Sequence, residues 1–284
     1  MQRVLGPEHP DALKSRMNLA NALDAQGRHA EAEQEHRAVL QVMQRVLGPE
    51  HPATLAARGN LAGALSEQGR HAEAEQEYRA VLQIMERVLG AEHPDTLKIR
   101  TGLAAVLHAQ TKYAEAEQED RAVLQVQERV LGADHPDTLK TRMNLALALQ
   151  AQAKYVEAEK ENRAVLQVQE RVLGAEHPDT LSSRNNLGAT LQFQGKHEEA
   201  EQEHRAVLKI MERVPGTQPA ELARTCANLA LCLYAQHKLP EALAFMQRAE
   251  QGLMKTVGAG HPETKRAKAM CERIEAMLKQ EPAK

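Results

Sequence analysis

Histidine and cysteine are the residues of this 284-residue chain that could do chemistry at a metal or a nucleophilic centre. Six of the thirteen histidines stand in His-Pro pairs that recur along the chain at His9, His51, His93, His135, His177 and His261. Side chains that far apart in a repeating sequence do not converge on one site. His29 and His36 are closer together and could hold a metal ion on one helix, although histidine at this place also serves as turn packing.

The three cysteines, Cys226, Cys232 and Cys271, all lie in the last quarter of the chain, which favours reduced thiols over a disulfide framework. Cys226 and Cys232 fall on different faces of a predicted helix, so we expect them to replace larger core residues. The motifs H-E-x-x-H, C-x-x-C, G-x-S-x-G and G-x-x-x-x-G-K-[ST] do not occur. We therefore predict a protein that is not an enzyme and that uses no cofactor and no metal.

A period of 42 residues organises the sequence, and the ten letters MQRVLGPEHP at the start return at 43–52. The glycine of the RVLG phrase marks the period and continues in two variant phrases, at Gly6, Gly48, Gly90, Gly132, Gly174, Gly216 and Gly258. Each period holds two helical stretches, which we name helix A and helix B. Pro136 and Asp137 suit the first turn of helix A, and glycines such as Gly27 suit its end.

These signals predict an all-α protein, a right-handed α-solenoid of six 42-residue helix-turn-helix repeats with a C-terminal capping helix. The predicted organisation is a stump of a preceding repeat at 1–9, six repeats over 10–257, and a capping helix with its tail over 258–284. Thr111, Ala153 and His237 replace the glycine that ends helix A in the other copies, so we expect tighter or slightly strained turns there.

Charge and hydropathy exclude several classes of protein. The 36 basic and 39 acidic side chains are spread along the chain and give a net charge of −3, which argues against a nucleic-acid partner. No run of 18 apolar residues and no signal peptide is present, so we expect a cytoplasmic protein without a transmembrane segment.

The repeat carries NLA in helix A, Q-G-[RK]-[HY]-x-E-A-E at the turn and R-A-V-L in helix B. It also carries G-x-x-H-P at the junction between helix B and the next helix A, which we call the seam. This pattern resembles the tetratricopeptide repeat of kinesin light chains, and the regular copies with HPDTL are similar to bacterial kinesin light chains encoded beside bacterial tubulins. The resemblance implies a protein or peptide partner, with bacterial tubulin as a candidate. The chain departs from the family pattern where helix B keeps an aromatic residue only at Tyr78, the other copies having His36, Asp120, Asn162 and His204.

At 100° per residue, helix A of the first repeat has a stripe predicted to be buried and an opposite face predicted to be exposed. The stripe contains Leu13, Leu19, Ala20 and Leu23. The opposite face contains Lys14, Asn18, Asn21 and Ala25. Because helix A lines the concave surface of tetratricopeptide solenoids, the resemblance makes this second face a groove, where a row of asparagines broken only at Gly102 could bond a peptide backbone.

The predicted groove residues combine this asparagine row with cations and apolar side chains. They are Lys14, Asn18, Asn21, Asn60, Lys98, Lys140, Met143, Asn144, Leu147, Asn185, Asn186, Phe193, Arg224, Asn228 and Leu231. Helix A with its turn carries net positive charge and helix B net negative charge in the first five repeats, so the groove side is expected to be the more positive.

A second ladder, of arginines, falls within the apolar stripe of helix A at Arg16, Arg58, Arg100, Arg142 and Arg184. A partly buried arginine needs a carboxylate, and we predict that the final glutamate of E-A-E on helix B supplies it. Those glutamates are Glu33, Glu75, Glu117, Glu159 and Glu201. We interpret this ladder as structural.

The sequence as a whole predicts an adaptor that binds an extended, acidic segment of a partner. Two alternatives stay open: a sensor repeat array of a larger signalling ATPase, and a self-stacking scaffold. The first helix A has no complete helix B before it, so we also expect either weak self-association at that end or a partner docked there.

Overall fold

The computed structural model of this chain describes residues 6, 8–214 and 218–280. All regular secondary structure within these residues is helical, in thirteen α-helices. Within each of the two compact units described below, consecutive helices pack against one another, which confirms the predicted all-α repeat fold with a terminal helix. The chain divides into two compact units, one ending at Gln152 and the other beginning at Ala153.

The first unit contains seven helices, in which odd numbers are helix A and even numbers are helix B. Their bounds are α1 Pro10–Ala25, α2 His29–Val46, α3 Pro52–Glu67, α4 His71–Val88, α5 Pro94–Ala109, α6 Tyr113–Val130 and α7 Pro136–Ala151. The predicted stump at 1–9 falls mostly outside the described residues.

The second unit contains six helices. Their bounds are α8 Tyr155–Val172, α9 Pro178–Phe193, α10 His197–Arg213, α11 Pro219–Ala235, α12 Leu239–Thr256 and α13 Pro262–Gln280. The last of these is the predicted capping helix, with Ile274 buried and Met270, Met277 and Leu278 partly buried on one side. The phrase around Gly216 lies outside the described residues.

Histidine at the seam caps helix A, a role that the sequence analysis did not assign. The Nδ1 atom of His135 accepts a hydrogen bond from the backbone N–H of Asp137 at 3.2 Å, and Pro136 follows in the first turn. The same bond forms at His9, His51, His93, His177 and His261. Because Nδ1 accepts, the neutral ring carries its proton on Nε2. Gln218, at the variant seam, makes no such bond through its side chain.

The turn after helix A requires a left-handed residue. Gly27 has φ +75, and the residues that replace glycine keep the same conformation: Thr111 and Ala153 at φ 59 and His237 at φ 58. A side chain with a Cβ is strained at such a φ. The expectation of strained turns at these three positions is therefore confirmed.

Many small cores hold the repeats together. In the first unit, Leu55 of α3, Val81 of α4 and Leu107 of α5 are almost fully buried in one cluster. In the second unit, Cys226 and Ile274 lie in a cluster built from the last helices. All three cysteines are free and buried, and burial raises the pKa of Cys232 to about 12, so the expectation of thiols acting as core residues is confirmed.

The arginine ladder is structural, but its predicted partner was wrong. Arg58 pairs with Glu77 at 2.7 Å, and Arg100 pairs with Glu119 at 2.9 Å and also with Glu86 at the end of the preceding helix B. The same type of pair joins Arg16 to Glu35 and Arg184 to Glu203. The partner follows the E-A-E glutamate by two residues, which is about 200° around the helix.

The E-A-E glutamates instead join successive repeats. Glu159 accepts hydrogen bonds from Gln194 and Lys196 in the turn of the next repeat, both at 2.8 Å, and from Arg163 on its own helix. Burial acts to raise the pKa of Glu159, but these hydrogen bonds outweigh it and lower the pKa to about 2. Glu33, Glu75, Glu117 and Glu201 hold equivalent positions.

Candidate functional site

A row of asparagines occupies one register position of helix A in five of the six repeats. Asn18 and Asn186 are exposed, while Asn60, Asn144 and Asn228 are partly buried. Within residues 8–214 and 218–280, none of these five side-chain amides makes a hydrogen bond inside the chain. Each amide therefore has a free donor and a free acceptor for a ligand.

The position of the row follows from helix geometry. In α1, Lys14, Asn18 and Asn21 are exposed, as predicted, while Leu13, Ala20 and Leu23 are buried on the opposite side. The amide of Asn21 also has no bond to another described residue.

The prediction that Leu19 is buried was wrong, since 52% of it is exposed. Its counterpart Leu61 in α3 is 4% exposed because a helix B packs on that side of α3, whereas no described helix covers the same side of α1.

The cations on this face differ in how strongly they are neutralised. Lys14 and Lys140 are exposed and have no acidic partner among the described residues. Lys98 donates to Asp95 at 3.3 Å, and Arg224 donates to Glu263 at 3.2 Å. The first unit therefore offers the freer positive charges.

Apolar side chains interrupt the polar row. The exposed fraction is 54% for Leu147, 59% for Phe193 and 36% for Leu231, and Met143 is partly buried. The ring of Phe193 stacks on Tyr155 with centroids 5.6 Å apart and an interplanar angle of 8°. Large apolar groups left open to water at the same face as free amides are a typical feature of a binding surface.

The second unit has a cavity of about 410 Å³ at this face. Leu231, Asn228 and Arg224 of α11 line one side, and Met270 and Arg266 of α13 line the other. In the register of the repeat, Met270 takes the place of the row asparagine, which makes this end of the face more apolar. A volume above about 300 Å³ is within the range of sites that hold small ligands or side chains.

Asn185, predicted as a groove residue, uses its amide inside the protein. Its Nδ2 donates to Thr225 Oγ1 at 2.9 Å, and its Oδ1 lies 3.0 Å from Nδ1 of the buried His204. These bonds join α9 to α10 and α11. Asn185 and Asn186 lie on different sides of α9 because neighbouring residues of a helix differ by 100°, and this step is the sequence signal that could have distinguished them.

The two histidines that could have held a metal ion lie beside the same carboxylate. His29 and His36 both contact Asp24, at 3.2 and 3.4 Å, and His36 is buried. Among the described residues, no group of three or more histidines, cysteines or carboxylates is arranged to hold a metal ion. The described helices also include none with the length and apolar character needed to cross a membrane.

Comparison with known proteins agrees with this geometry. The family model described as tetratricopeptide repeat matches residues 14–87, 56–119, 98–161, 140–213 and 185–255. One solved structure contains nearly identical TPR-like repeats of a kinesin light chain from Podosopora anserina. It is 30% identical in sequence, with a TM-score of 0.68 over 74% of this chain and 99% of that one. No curated protein sequence matches the chain.

Two further structures share the fold at lower identity. BtubC (BKLC) from P. vanneervenii is 20% identical, with a TM-score of 0.62 over 96% of this chain and 94% of that one. A signal transduction ATPase with a tetratricopeptide repeat sensor from Pyrococcus horikoshii is 12% identical, with a TM-score of 0.74 over 96% of this chain and 40% of that one. From the family match and the 30% identical structure, the chain belongs to the tetratricopeptide repeat family, and its repeats are of the kinesin light chain type.

Proposed function

We propose that this protein is a non-catalytic adaptor and that the exposed face of helix A in each unit binds an extended, acidic peptide segment of a partner protein. The observation that carries the proposal is the row of five asparagine amides without partners inside the described chain. An extended peptide presents backbone N–H and C=O groups, and an amide can bond both. Such recognition does not depend on the peptide's side chains.

Charge is the second support for an acidic peptide. Lys14 and Lys140 of the first unit stand beside the amide row without acidic partners among the described residues. Exposed charges act over about 8 Å at physiological ionic strength, so these lysines would attract a carboxylate before contact is made. The amides would then fix the backbone at short range.

Bacterial tubulin is the candidate partner that the resemblance to bacterial kinesin light chains implies. The likeness to the repeat sensor of a signalling ATPase, at 12% identity, concerns the fold alone and does not favour the sensor alternative. The adaptor role is proposed on the evidence of the amide row, and bacterial tubulin is the first purified partner to test.

The experiment is a selection of random peptides displayed on phage against the immobilised chain, followed by kinetics with the enriched peptide and with purified bacterial tubulin. We expect enrichment of Asp and Glu in extended, proline-tolerant sequences. Asn60→Ala with Asn144→Ala should speed dissociation, at about 1 kcal/mol per lost hydrogen bond, and leave the salt dependence unchanged.

Charge reversal tests the electrostatic part separately. Lys98→Glu with Lys140→Glu should slow association and flatten its dependence on salt. The matched control is Lys209→Glu, an exposed position on α10 outside the proposed face. If both double variants bind the selected peptide like the parent protein while the control does not, the binding surface is on helix B and the proposal is wrong.

A further inference from the structure

We infer that the cavity between α11, α12 and α13 is a binding site for a small aromatic carboxylate, a planar ring that carries one negative charge. This cavity, which we call the α11–α13 cavity, has a volume of about 410 Å³ and lies within the second unit. The inference concerns a different class of ligand from the proposed peptide. It stands whether or not the asparagine row binds a peptide.

The first unit contains the same slot with an aromatic ring inside it. Tyr78 of α4 extends its ring between α3 and α5. A Cβ atom added at Gly63 of α3 would lie 3.4 Å from the Tyr78 hydroxyl oxygen, and one added at Gly102 of α5 would lie 2.6 Å from Tyr78 Cζ. Tyr78 is only 8% exposed. The space between two successive A helices and their helix B therefore accepts an aromatic ring.

Four periods of 42 residues later, the slot has no ring from the chain itself. The register positions of Gly63, Tyr78 and Gly102 are held there by Leu231, Met246 and Met270. All three of these residues line the α11–α13 cavity. Methionine at residue 246 has no ring to place between the two A helices, so the slot that Tyr78 fills in the first unit is open in the second.

The apolar walls of the α11–α13 cavity suit a ring. Met246 and Leu253 of α12 line it and are each 2% exposed, while Ala227 and Leu231 of α11 and Met270 of α13 add further apolar surface. The thioether sulfur of methionine makes favourable contacts with the edge of an aromatic ring. Two methionines in one slot therefore favour an aromatic occupant.

The charges at the α11–α13 cavity leave one cation for a ligand. Arg224, Glu263 and Arg266 are the charged residues that line it. Arg224 donates to Glu263 at 3.2 Å, whereas Arg266 is exposed and has no acidic partner among the described residues. Two cations and one carboxylate leave a charge of +1. A guanidinium binds a carboxylate through two parallel hydrogen bonds, so a single negative charge on the ligand is complementary to this site.

The filled slot of the first unit has no such surplus of charge. The register positions of Arg224, Glu263 and Arg266 are held there by Ala56, Asp95 and Lys98. Lys98 donates to Asp95 at 3.3 Å, so the two charges cancel. The ring in that slot is neutral, because burial raises the pKa of Tyr78 to about 12. A neutral slot thus holds a neutral ring, and the open slot with one free cation matches a ring with one negative charge.

A compact ligand fits the α11–α13 cavity better than an extended peptide does. The asparagine row reaches the cavity at Asn228 and does not continue, since Met270 takes the register position of the next amide. A peptide backbone lying across the cavity would meet one amide of the row, which is partly buried. A small aromatic acid needs only the slot and the guanidinium of Arg266.

The test uses the full chain with indole-3-propionate and its uncharged amide as probes. The chain contains no tryptophan, so the fluorescence anisotropy of the indole reports the probe alone when it is excited where tyrosine does not absorb. We expect saturable binding of indole-3-propionate. The amide should bind about tenfold more weakly, because it cannot form the charged hydrogen bonds to Arg266.

Three variants locate the site, and circular dichroism verifies that each remains folded. Arg266→Gln should remove the preference for the acid over the amide and leave binding of the amide unchanged, which a merely unfolded variant would not do. Ala227→Phe, which places a ring from the chain in the slot, should abolish binding of both probes. Lys268→Gln, at an exposed position of α13 outside the cavity lining, is the matched control and should change neither affinity.

Several results would overturn the inference. These are the absence of saturable binding by indole-3-propionate, equal affinities of the parent protein for the acid and the amide, or binding that Ala227→Phe does not affect. Octanoate that binds more tightly than the indole acid would show that the slot does not select a ring. A blocked peptide with tryptophan between two glutamates that binds more tightly than the free acid would assign the slot to a peptide side chain instead.

Discussion

Gly102 lies directly against the ring of Tyr78. A Cβ atom added at Gly102 would stand 2.6 Å from Tyr78 Cζ and 2.8 Å from its hydroxyl oxygen, closer than such atoms approach in proteins. Tyr78 is the one aromatic residue at its helix B position among the first five repeats, and it is buried. The gap in the asparagine row therefore has a packing cause: the tyrosine ring fills the space that a side chain at residue 102 would need.

This contact predicts coupled effects on stability. Gly102→Asn should lower the free energy of unfolding by about 1–3 kcal/mol through overpacking. Combined with Tyr78→Asn, the residue that repeat four has at Asn162, the same change should cost much less, with a coupling of at least about 1 kcal/mol in a urea-unfolding cycle. Ala105→Asn, at an exposed position of the same helix, is the control and should cost about 0.7 kcal/mol or less. Strictly additive single and double variants would contradict the contact.

The arginine ladder predicts a second contrast. Arg100 is 17% exposed and bonds carboxylates on two helices, so Arg100→Ala leaves two partly buried charges without their partner. We expect a loss of about 2 to 3 kcal/mol in thermal or urea unfolding, the low end for breaking a buried pair because Arg100 keeps some contact with water. Lys98→Ala, two residues away and 78% exposed, should change stability by no more than about 0.5 kcal/mol. Equal melting temperatures for the two variants would mean that the ladder contributes nothing.

Acid should destabilise the second unit through His204. The side chain is fully buried, and burial lowers its pKa from 6.5 to about 4. Because the folded pKa is below the unfolded one, the unfolded chain takes up the proton first as pH falls. The contribution of neutral His204 to the free energy of unfolding is therefore fully present above about pH 6.5 and is lost progressively down to about pH 4.

At about 1.4 kcal/mol per pH unit, the loss between about pH 7 and about pH 4.5 is about 2 to 3 kcal/mol. His204→Asn should be less stable near neutral pH but should lack this part of the acid dependence, since asparagine does not titrate. Urea unfolding at both pH values measures the difference, and carboxylates shared by the two proteins cancel. The same acid dependence in the variant and the parent protein would exclude His204 as its source.

The helices and the amide row could be predicted from the sequence because both depend on local relations. Proline and glycine at fixed intervals start and stop each helix, and a step of 100° per residue places Asn18 and Lys14 on the side opposite Leu13. The capping role of the seam histidines was not predicted, although their spacing to the next helical N–H is also local. A histidine before proline, at the position of an N-cap, is a signal that sequence reasoning could have used.

The predictions that were wrong concerned side chains whose surroundings are set by residues distant in the sequence. Leu19 has the same residue type as Leu61, and its exposure differs because no described helix B precedes α1. Two glutamates of helix B, Glu33 and Glu35, were both plausible partners for Arg16, and only the packing angle between helices decides between them. Asn185 and Asn186 are identical in type, yet one is bonded inside the fold and the other is exposed.

Strain at the turn after α5 gives the last prediction. Thr111 is held at φ 59, a conformation that a β-branched residue rarely adopts, while the first two repeats have glycine at the same position. Thr111→Gly should relieve a cost of about 1 to 2 kcal/mol, partly offset by the greater freedom of glycine in the unfolded chain, for a net gain of about 0.5 to 1 kcal/mol. Ala105→Gly, at a helical position six residues earlier, should instead lose about 1 kcal/mol. Opposite signs in urea unfolding support strain at residue 111, whereas a loss of stability in both variants would show that the turn holds Thr111 without cost.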